Sequence, residues 1–409
     1  MSRPLRRTRG DLIATGVISA VCVAAVAGVW LTAPIRDSEL TPAAAEYSST
    51  AELSAVPESL SQEWTRSDEQ LPGVFHPVTV NGVIASVEGQ TVTAVDQSGE
   101  TLWSYTRNLD LCSMAGAWGK IVITYRSAAG CGDVVSIDAG TGQYDATRSS
   151  IAPLEVVPVV SNDRIGTAGR QRLELWRSDL VRTVEYGEVE GIQEPGLQPH
   201  QDCDIESALT RTELLAVTES CPDNPGTWLR LQETSPEDAR KPEINQDIYL
   251  PTGGSRLVAI AQEAVTVFVP GLQPELISYS DSGQELSRTP VESAALIDAA
   301  VDSEQSPFAP VTADLPHHMS WFDGERLYLF SPTELSPIRI YEDVVGTAVA
   351  VGDDLLVPTV EGIAVTNPDT GVVERIIPVD RAGYEGMVTL AIAGETIVEK
   401  RGDELFGLV

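Results

Sequence analysis

The chain has 409 residues, with 60 acidic side chains against 27 lysines and arginines, giving a net charge of −33 and a pI near 4.3. So acidic a chain repels nucleic acid and anionic lipid headgroups, which excludes polyanion binding and says nothing further about a partner.

The first predicted element is a membrane helix. Leu12 to Ala33 carries no charged residue. At about 1.5 Å per residue such a run makes roughly 33 Å of helix, enough for a hydrocarbon core of about 30 Å. Arg3, Arg6, Arg7 and Arg9 precede it, while Arg36, Asp37 and Glu39 follow. The positive-inside rule keeps residues 1–11 cytoplasmic and sends the remainder outward. A cleaved signal peptide is the competing reading, with Ala43-Ala44-Ala45 as its processing site. Its apolar region should be shorter and its cleavage site closer, so a retained span over 12–33 is favoured. The expected location is the plasma membrane, single pass, with an extracytoplasmic C-terminal domain.

Residues 34–60 are rich in Ala, Ser, Thr, Glu and Pro without a sustained apolar period. That composition predicts a flexible stalk. Beyond it, 61–409 shows short β-rich runs broken by Gly, Asp, Asn and Pro turns. One unit recurs: an alternating strand, a polar turn with Gly, and a second strand. TVTAVDQSGETLWSY turns at Asp96 to Gly99, DVVSIDAGTGQYDATR at Asp138 to Gly142, and GIAVTNPDTGVVERIIPV at Asn367 to Gly371. Weaker copies centre on Ser178, Glu233, Ser280 and Ser331, and the steps of 36 to 55 residues suit propeller blades.

The last unit supplies three strands, MVTLAIAG, ETIVEKRG and DELFGLV. Gln62 to Arg66, with Trp64, precedes the first blade without belonging to it. It is predicted to complete the last blade and close the ring, which removes open sheet edges. The fold expected is therefore all-β, a propeller of eight blades, preceded by one transmembrane helix. Seven blades stay open, because the unit around 291–345 is degenerate.

Cys22 lies in the span, leaving Cys112, Cys131, Cys203 and Cys221. Four cysteines allow three pairings. Cys112–Cys131 and Cys203–Cys221 enclose the shortest stretches, and an exported domain favours disulfides over free thiols. No C-x-x-C spacing occurs, so a structural zinc site is not expected.

The strand–turn pattern resembles the pyrroloquinoline-quinone-like (quinoprotein) propeller repeat, best at Asp138 to Gly142 and Asn367 to Gly371, then at Asp96 to Trp103. The whole chain also resembles a family of actinobacterial membrane-anchored proteins, through Leu173 to Thr183 and Glu399 to Asp403. The resemblance implies a ring fold whose relatives include quinone-dependent alcohol dehydrogenases and a non-enzymatic scaffold lipoprotein. The dehydrogenases need a quinone, Ca²⁺, an Asp base and commonly a disulfide between adjacent cysteines. This chain has no adjacent cysteines.

Other chemistry is equally thin. His317 and His318 are neighbours, and adjacent strand residues face opposite ways, so they do not chelate one metal together. His76 and His200 have no ligand partner at metal spacing. There is no G-x-S-x-G elbow, H-E-x-x-H or phosphate loop. Arg401-Gly402-Asp403 reads as a hairpin turn rather than an adhesion motif, and the tryptophans as packing between blades.

The expected function is a non-catalytic, membrane-anchored scaffold or sensor that binds unidentified envelope proteins or wall components, without cofactor or metal. Loops 187–203 and 291–316 are candidate contact loops. A quinone-dependent dehydrogenase and a structural subunit of a membrane complex are the alternatives.

Overall fold

A computed structural model describes residues 8–49, 51–189, 195–301 and 307–409. Arg3, Arg6 and Arg7, and the centres of both candidate contact loops, lie outside the described residues. The N-terminal helix runs Arg9–Leu31, starting three residues before the apolar run. Thr8 and Asp11 cause the early start by forming a reciprocal capping box. The helix is long and apolar enough to cross a membrane, and none of it is buried against the other described residues.

Seven four-stranded antiparallel sheets and one of five strands follow, so the ring has eight blades. Blades 1 to 7 cover 78–107, 111–149, 157–187, 204–250, 256–290, 311–341 and 349–378. Blade 8 takes three strands from 388–408 and its outer strand from Gln62–Ser67. There Ser67 pairs with Glu404 and Trp64 with Gly407, so the N-terminal strand closes the ring as expected.

Burial explains why the repeat is clearest near the outer strands. Second and third strands are covered on both faces by neighbouring blades and read as apolar runs, such as Ala264–Val269 and Gly362–Thr366. Outer strands alternate, as in Tyr144–Ser149, because one side meets water. Blade 6, the degenerate unit, has strands of four or five residues. Aromatic packing compensates: Trp321 stacks on Tyr328 across the strand pair, centroids 5.1 Å apart, and lies 6.3 Å from Phe268 of blade 5.

The turns join blades to one another. The Asp96 carboxylate accepts from the Ser98 and Glu100 amides, and Asp138 accepts from the Thr141 amide and hydroxyl. Asn367 does the same for the Asp369 and Thr370 amides. Gly99, Gly142 and Gly371 then take positive φ, which a side chain resists. The first two also make room for a tryptophan from the preceding blade. Trp64 lies on Gly99 and donates to Gln97 O at 3.0 Å; Trp103 lies on Gly142 and donates to Ala139 O at 2.7 Å. At Gly371 the arginine Arg339 takes that place. These residues therefore build the ring.

The expected flexible stalk over 34–60 is corrected. Ser38–Thr41 adds a fifth strand to the outer edge of blade 1, pairing with Ser104 to Arg107. The chain then crosses the ring. Ala43 and Tyr47 donate to Thr141 O and Gly140 O in blade 2, and Leu53 donates to Gly394 O in blade 8. Arg375 of blade 7 donates to the carbonyls of Val56, Pro57 and Glu58. Leu40, Ala43 and Tyr47 pack on the core of blades 1 and 2, and Leu53, Val56 and Leu60 on that of blades 7 and 8. The strap lies over irregular turns, so its apolar residues follow no helical or strand period, and composition alone misreads it.

Candidate docking face

In blades 1 to 7 the first and third hairpins turn on one face, blade 8 turns its first hairpin there too, and the connections between blades run on the opposite face. The strap crosses the hairpin face over blades 2, 1, 8 and 7. The remaining half of that face carries a cleft of ≈ 350 Å³ at blades 4, 5 and 6. Arg211 comes from the first hairpin of blade 4, Ile260 to Glu263 from that of blade 5, and Asp314 to Met319 from that of blade 6. The outer turn of blade 6, Pro332 to Leu335, forms the last wall.

The cleft is built on a fixed floor. The Ile260 amide lies 3.2 Å from the Met319 sulfur, joining blades 5 and 6. The hydroxyls of Thr266 and Ser278 both donate to Leu335 O at 2.9 Å, which holds the outer turn in place. Above this floor, Arg211 pairs with Asp314 at 2.8 Å across blade 5. Glu213, Glu263, Glu334 and His317 are exposed around the opening. His318 donates from Nδ1 to Phe330 O at 3.2 Å, which fixes its ring against blade 6. The site thus offers an apolar base, a partly exposed ion pair and an acidic rim, which suits a polypeptide segment better than a small apolar ligand.

The central channel has different chemistry. Phe75, Val78, Met114, Ala115, Leu209 and Pro310 line it, with His76 beside them. His76 Nε2 bonds Thr347 Oγ1 at 2.7 Å. Burial, then the nearby Lys400 charge, pushes the His76 imidazole down to about 4. The unfolded imidazole protonates near 6.5, whereas the folded one stays neutral until about 4. Stability therefore falls as pH drops from 6.5 toward 4, by about 1.4 kcal/mol per unit at most. His76→Asn is expected to flatten that part of the profile in urea midpoints taken at pH 7, 5.5 and 4.5. An identical slope in both proteins contradicts this assignment.

Both expected disulfides are present, Cys112–Cys131 and Cys203–Cys221. The first joins the first and third strands of blade 2, and the second clips the base of the first hairpin of blade 4. Both sit on the connection face, away from the cleft. Arg401-Gly402-Asp403 is a hairpin turn, and Arg401 is buried against Glu399 and Phe406 rather than displayed. Of the two candidate contact loops, 291–316 holds a short helix, Ala295–Val301, and Phe308 donates to Glu206 O. Loop 187–203 is tied back by Gln198, which donates to Glu185 O and Arg240 O.

Two features escaped the sequence reading. Buried ion hubs occur at Glu174, met by Arg148, Arg172 and Arg182, and at Glu399, met by Arg381 and Arg401. Burial alone would raise the Glu174 carboxyl, but Arg148, Arg172 and the Trp176 indole together hold it below its usual value. In addition, His200 does have neighbours: its ring, Cys203 and Glu219 bring potential ligand atoms within 4.8 Å of one another.

No protein-family model matches the chain, and no curated protein matches it either. Solved structures do match. The crystal structure of BamB from Moraxella catarrhalis is similar with a TM-score of 0.52 at 10% identity, over 85% of this chain and 99% of that one. The dihydro-heme d1 dehydrogenase NirN, in complex with DHE, gives a TM-score of 0.52 at 11% identity, over 84% of this chain and 76% of that one. A likeness at this identity extends to the ring alone, and the second name is an enzyme's, so function has to be argued from this chain's own residues.

Proposed function

We propose that this protein is a non-catalytic scaffold of the cell envelope, anchored in the plasma membrane by its N-terminal helix and binding a protein partner on the open half of the hairpin face. The observation that carries the reading is the strap. It occupies the turns of blades 2, 1, 8 and 7 and leaves the cleft at blades 4 to 6 uncovered. The strap also sets the geometry. Only six residues separate Leu31, at the end of the helix, from Ser38 on the edge of blade 1. Extended backbone reaches about 3.5 Å per residue, so that edge stays within about 25 Å of the helix end. Blade 1 is then the tethered rim, and the cleft, centred on blade 5, lies across the ring from it. A ring like that of BamB over nearly its whole length is compatible with such a role. The N-terminus is cytoplasmic and the ring extracytoplasmic, in keeping with Arg9 before the helix and the two disulfides after it.

Affinity capture of the full-length protein from membranes tests this. The wild type is expected to retain the same protein in repeated captures. Glu263→Arg with His317→Glu, both on the exposed rim, is expected to reduce that yield at least tenfold while leaving the thermal midpoint unchanged. Equal yields from both proteins, or no recurrent protein, would overturn the reading.

A further inference from the structure

The two disulfides lie in opposite surroundings. Cys112 and Cys131 are buried together with Val156 in an apolar cluster. Cys203 is nearly buried, but Cys221 is half-exposed, at the start of a surface turn. Around this second pair stand His200, Glu219 and Arg230, with Asp247 beyond. Glu219 Oε1 lies 3.7 Å from Cys221 Sγ, and Arg230 reaches toward both Cys221 Sγ at 4.0 Å and His200 Nδ1 at 3.4 Å.

We propose that Cys203–Cys221 is a thiol-gated metal site: once a thiol reductant opens the bond, His200, Cys203, Cys221 and Glu219 bind one zinc-class divalent cation. In the closed form both sulfurs are spent on each other, and only an imidazole and a carboxylate remain as ligands. Opening is an exchange reaction. A thiolate of an external dithiol attacks the sulfur of Cys221, the less buried of the two, and Cys203 leaves as a thiolate. The second thiol of the reagent then displaces Cys221. The reagent is oxidised to its disulfide, and the protein gains two electrons and two protons. Cation binding afterwards releases the two thiol protons.

The donor set and its surroundings fit that ion. Two thiolates, one imidazole and one carboxylate make a four-coordinate shell of the kind zinc takes. Two sulfurs on one tetrahedral zinc lie about 3.7 Å apart, against about 2 Å in a disulfide, so the pair has to part by less than 2 Å. Cys203 precedes its strand and Cys221 follows its own, so neither is fixed by ladder pairing. A filled site carries one net negative charge. Arg230, which in the closed form donates to Glu219 Oε1 at 2.7 Å and to Asp247 Oδ1 at 2.6 Å, gives up Glu219 to the incoming cation and keeps Asp247. The hydroxyl of Tyr186 donates to Glu219 Oε2 at 2.5 Å and holds that carboxylate in place.

The test uses the full-length protein in detergent, reduced with dithiothreitol, freed of reagent under argon, and titrated with Co²⁺. Alkylation of each cysteine, read by mass spectrometry, reports which bond has opened. The expected result is opening of Cys203–Cys221 before Cys112–Cys131. One equivalent of Co²⁺ then gives the thiolate charge-transfer band and the intense visible bands of a tetrahedral thiolate site. His200→Ala is expected to weaken Co²⁺ at least tenfold, and Cys203→Ser or Cys221→Ser, each of which leaves one thiolate, to cut the charge-transfer band to about half or less. Cys112→Ser with Cys131→Ser should keep that band. The inference is overturned if Cys203–Cys221 opens no earlier than the buried pair, if the opened protein gives no tetrahedral spectrum, or if the Cys203→Ser and Cys221→Ser spectra match the wild type.

Discussion

Trp64→Ala is expected to destabilise the ring by about 3 kcal/mol, and deletion of residues 62–67 to abolish its cooperative unfolding. Large aromatic truncations in packed sites cost about 3–5 kcal/mol, and Trp64 is only partly buried, which places it at the lower end. Its indole fills the seam between the last strand and the first blade. A Cβ on Gly407 would come within 2.1 Å of the ring, and one on Gly99 within 2.7 Å. The indole N–H also bonds Gln97 O, and Arg66 of the same strand donates to Gly99 O at 2.7 Å. Removing the whole strand does more: it leaves Glu404–Leu408 as an unpaired edge and separates blade 8 from blade 1. Urea denaturation checks both variants, with Trp103→Ala as the fully buried counterpart, expected nearer 4 kcal/mol. A loss below about 1 kcal/mol for Trp64→Ala would show that closure does not depend on this seam.

Glu399→Ala is expected to cost about 3–5 kcal/mol, the usual effect of stranding a buried charge. The carboxylate is inaccessible to solvent. It accepts from Arg401 Nε at 2.7 Å and from Arg381 through both Nε and an NH₂ group, at 3.2 and 2.8 Å. Arg381 comes from the connection between blades 7 and 8 and also donates to Thr359 O and Gly362 O. Loss of Glu399 therefore leaves two buried guanidinium groups without a counter-ion and loosens that connection. Replacing all three residues by methionine removes the stranded charges and is expected to recover most of the loss. Thermal and urea unfolding of the single and triple variants decide this. A single variant as stable as the wild type, or a triple variant worse than the single, contradicts it.

The sequence was readable where its chemistry is local. Asp96, Asp138 and Asn367 each bond amides two to four residues ahead, so the turn, and with it the blade period, is written in adjacent residues. The closing strand was readable because the last unit lacked a partner that 62–66 supplied. Contacts made between distant segments were not readable. Tyr47 meets Gly140 and Leu53 meets Gly394, and nothing in the strap's own composition points to either. The ion hubs hide in a chain of 60 acidic residues. Their one local sign is a glutamate set among apolar strand residues, as in Leu173-Glu174-Leu175. The cleft carries even less signal, since its walls come from three blades. Cys203 suggested only a disulfide, because Glu219 joins His200 through the hairpin and not through spacing.

Site-specific photo-crosslinking in the intact envelope tests the scaffold reading most directly. A photoreactive residue is placed in turn at Glu263, at His317, and at Leu272, a fully exposed position on the connection face of the same sector. The same discrete protein adduct is predicted from Glu263 and His317, and none from Leu272. No adduct from the cleft positions, or the same adduct from all three, would contradict a partner seated on the open half of the hairpin face.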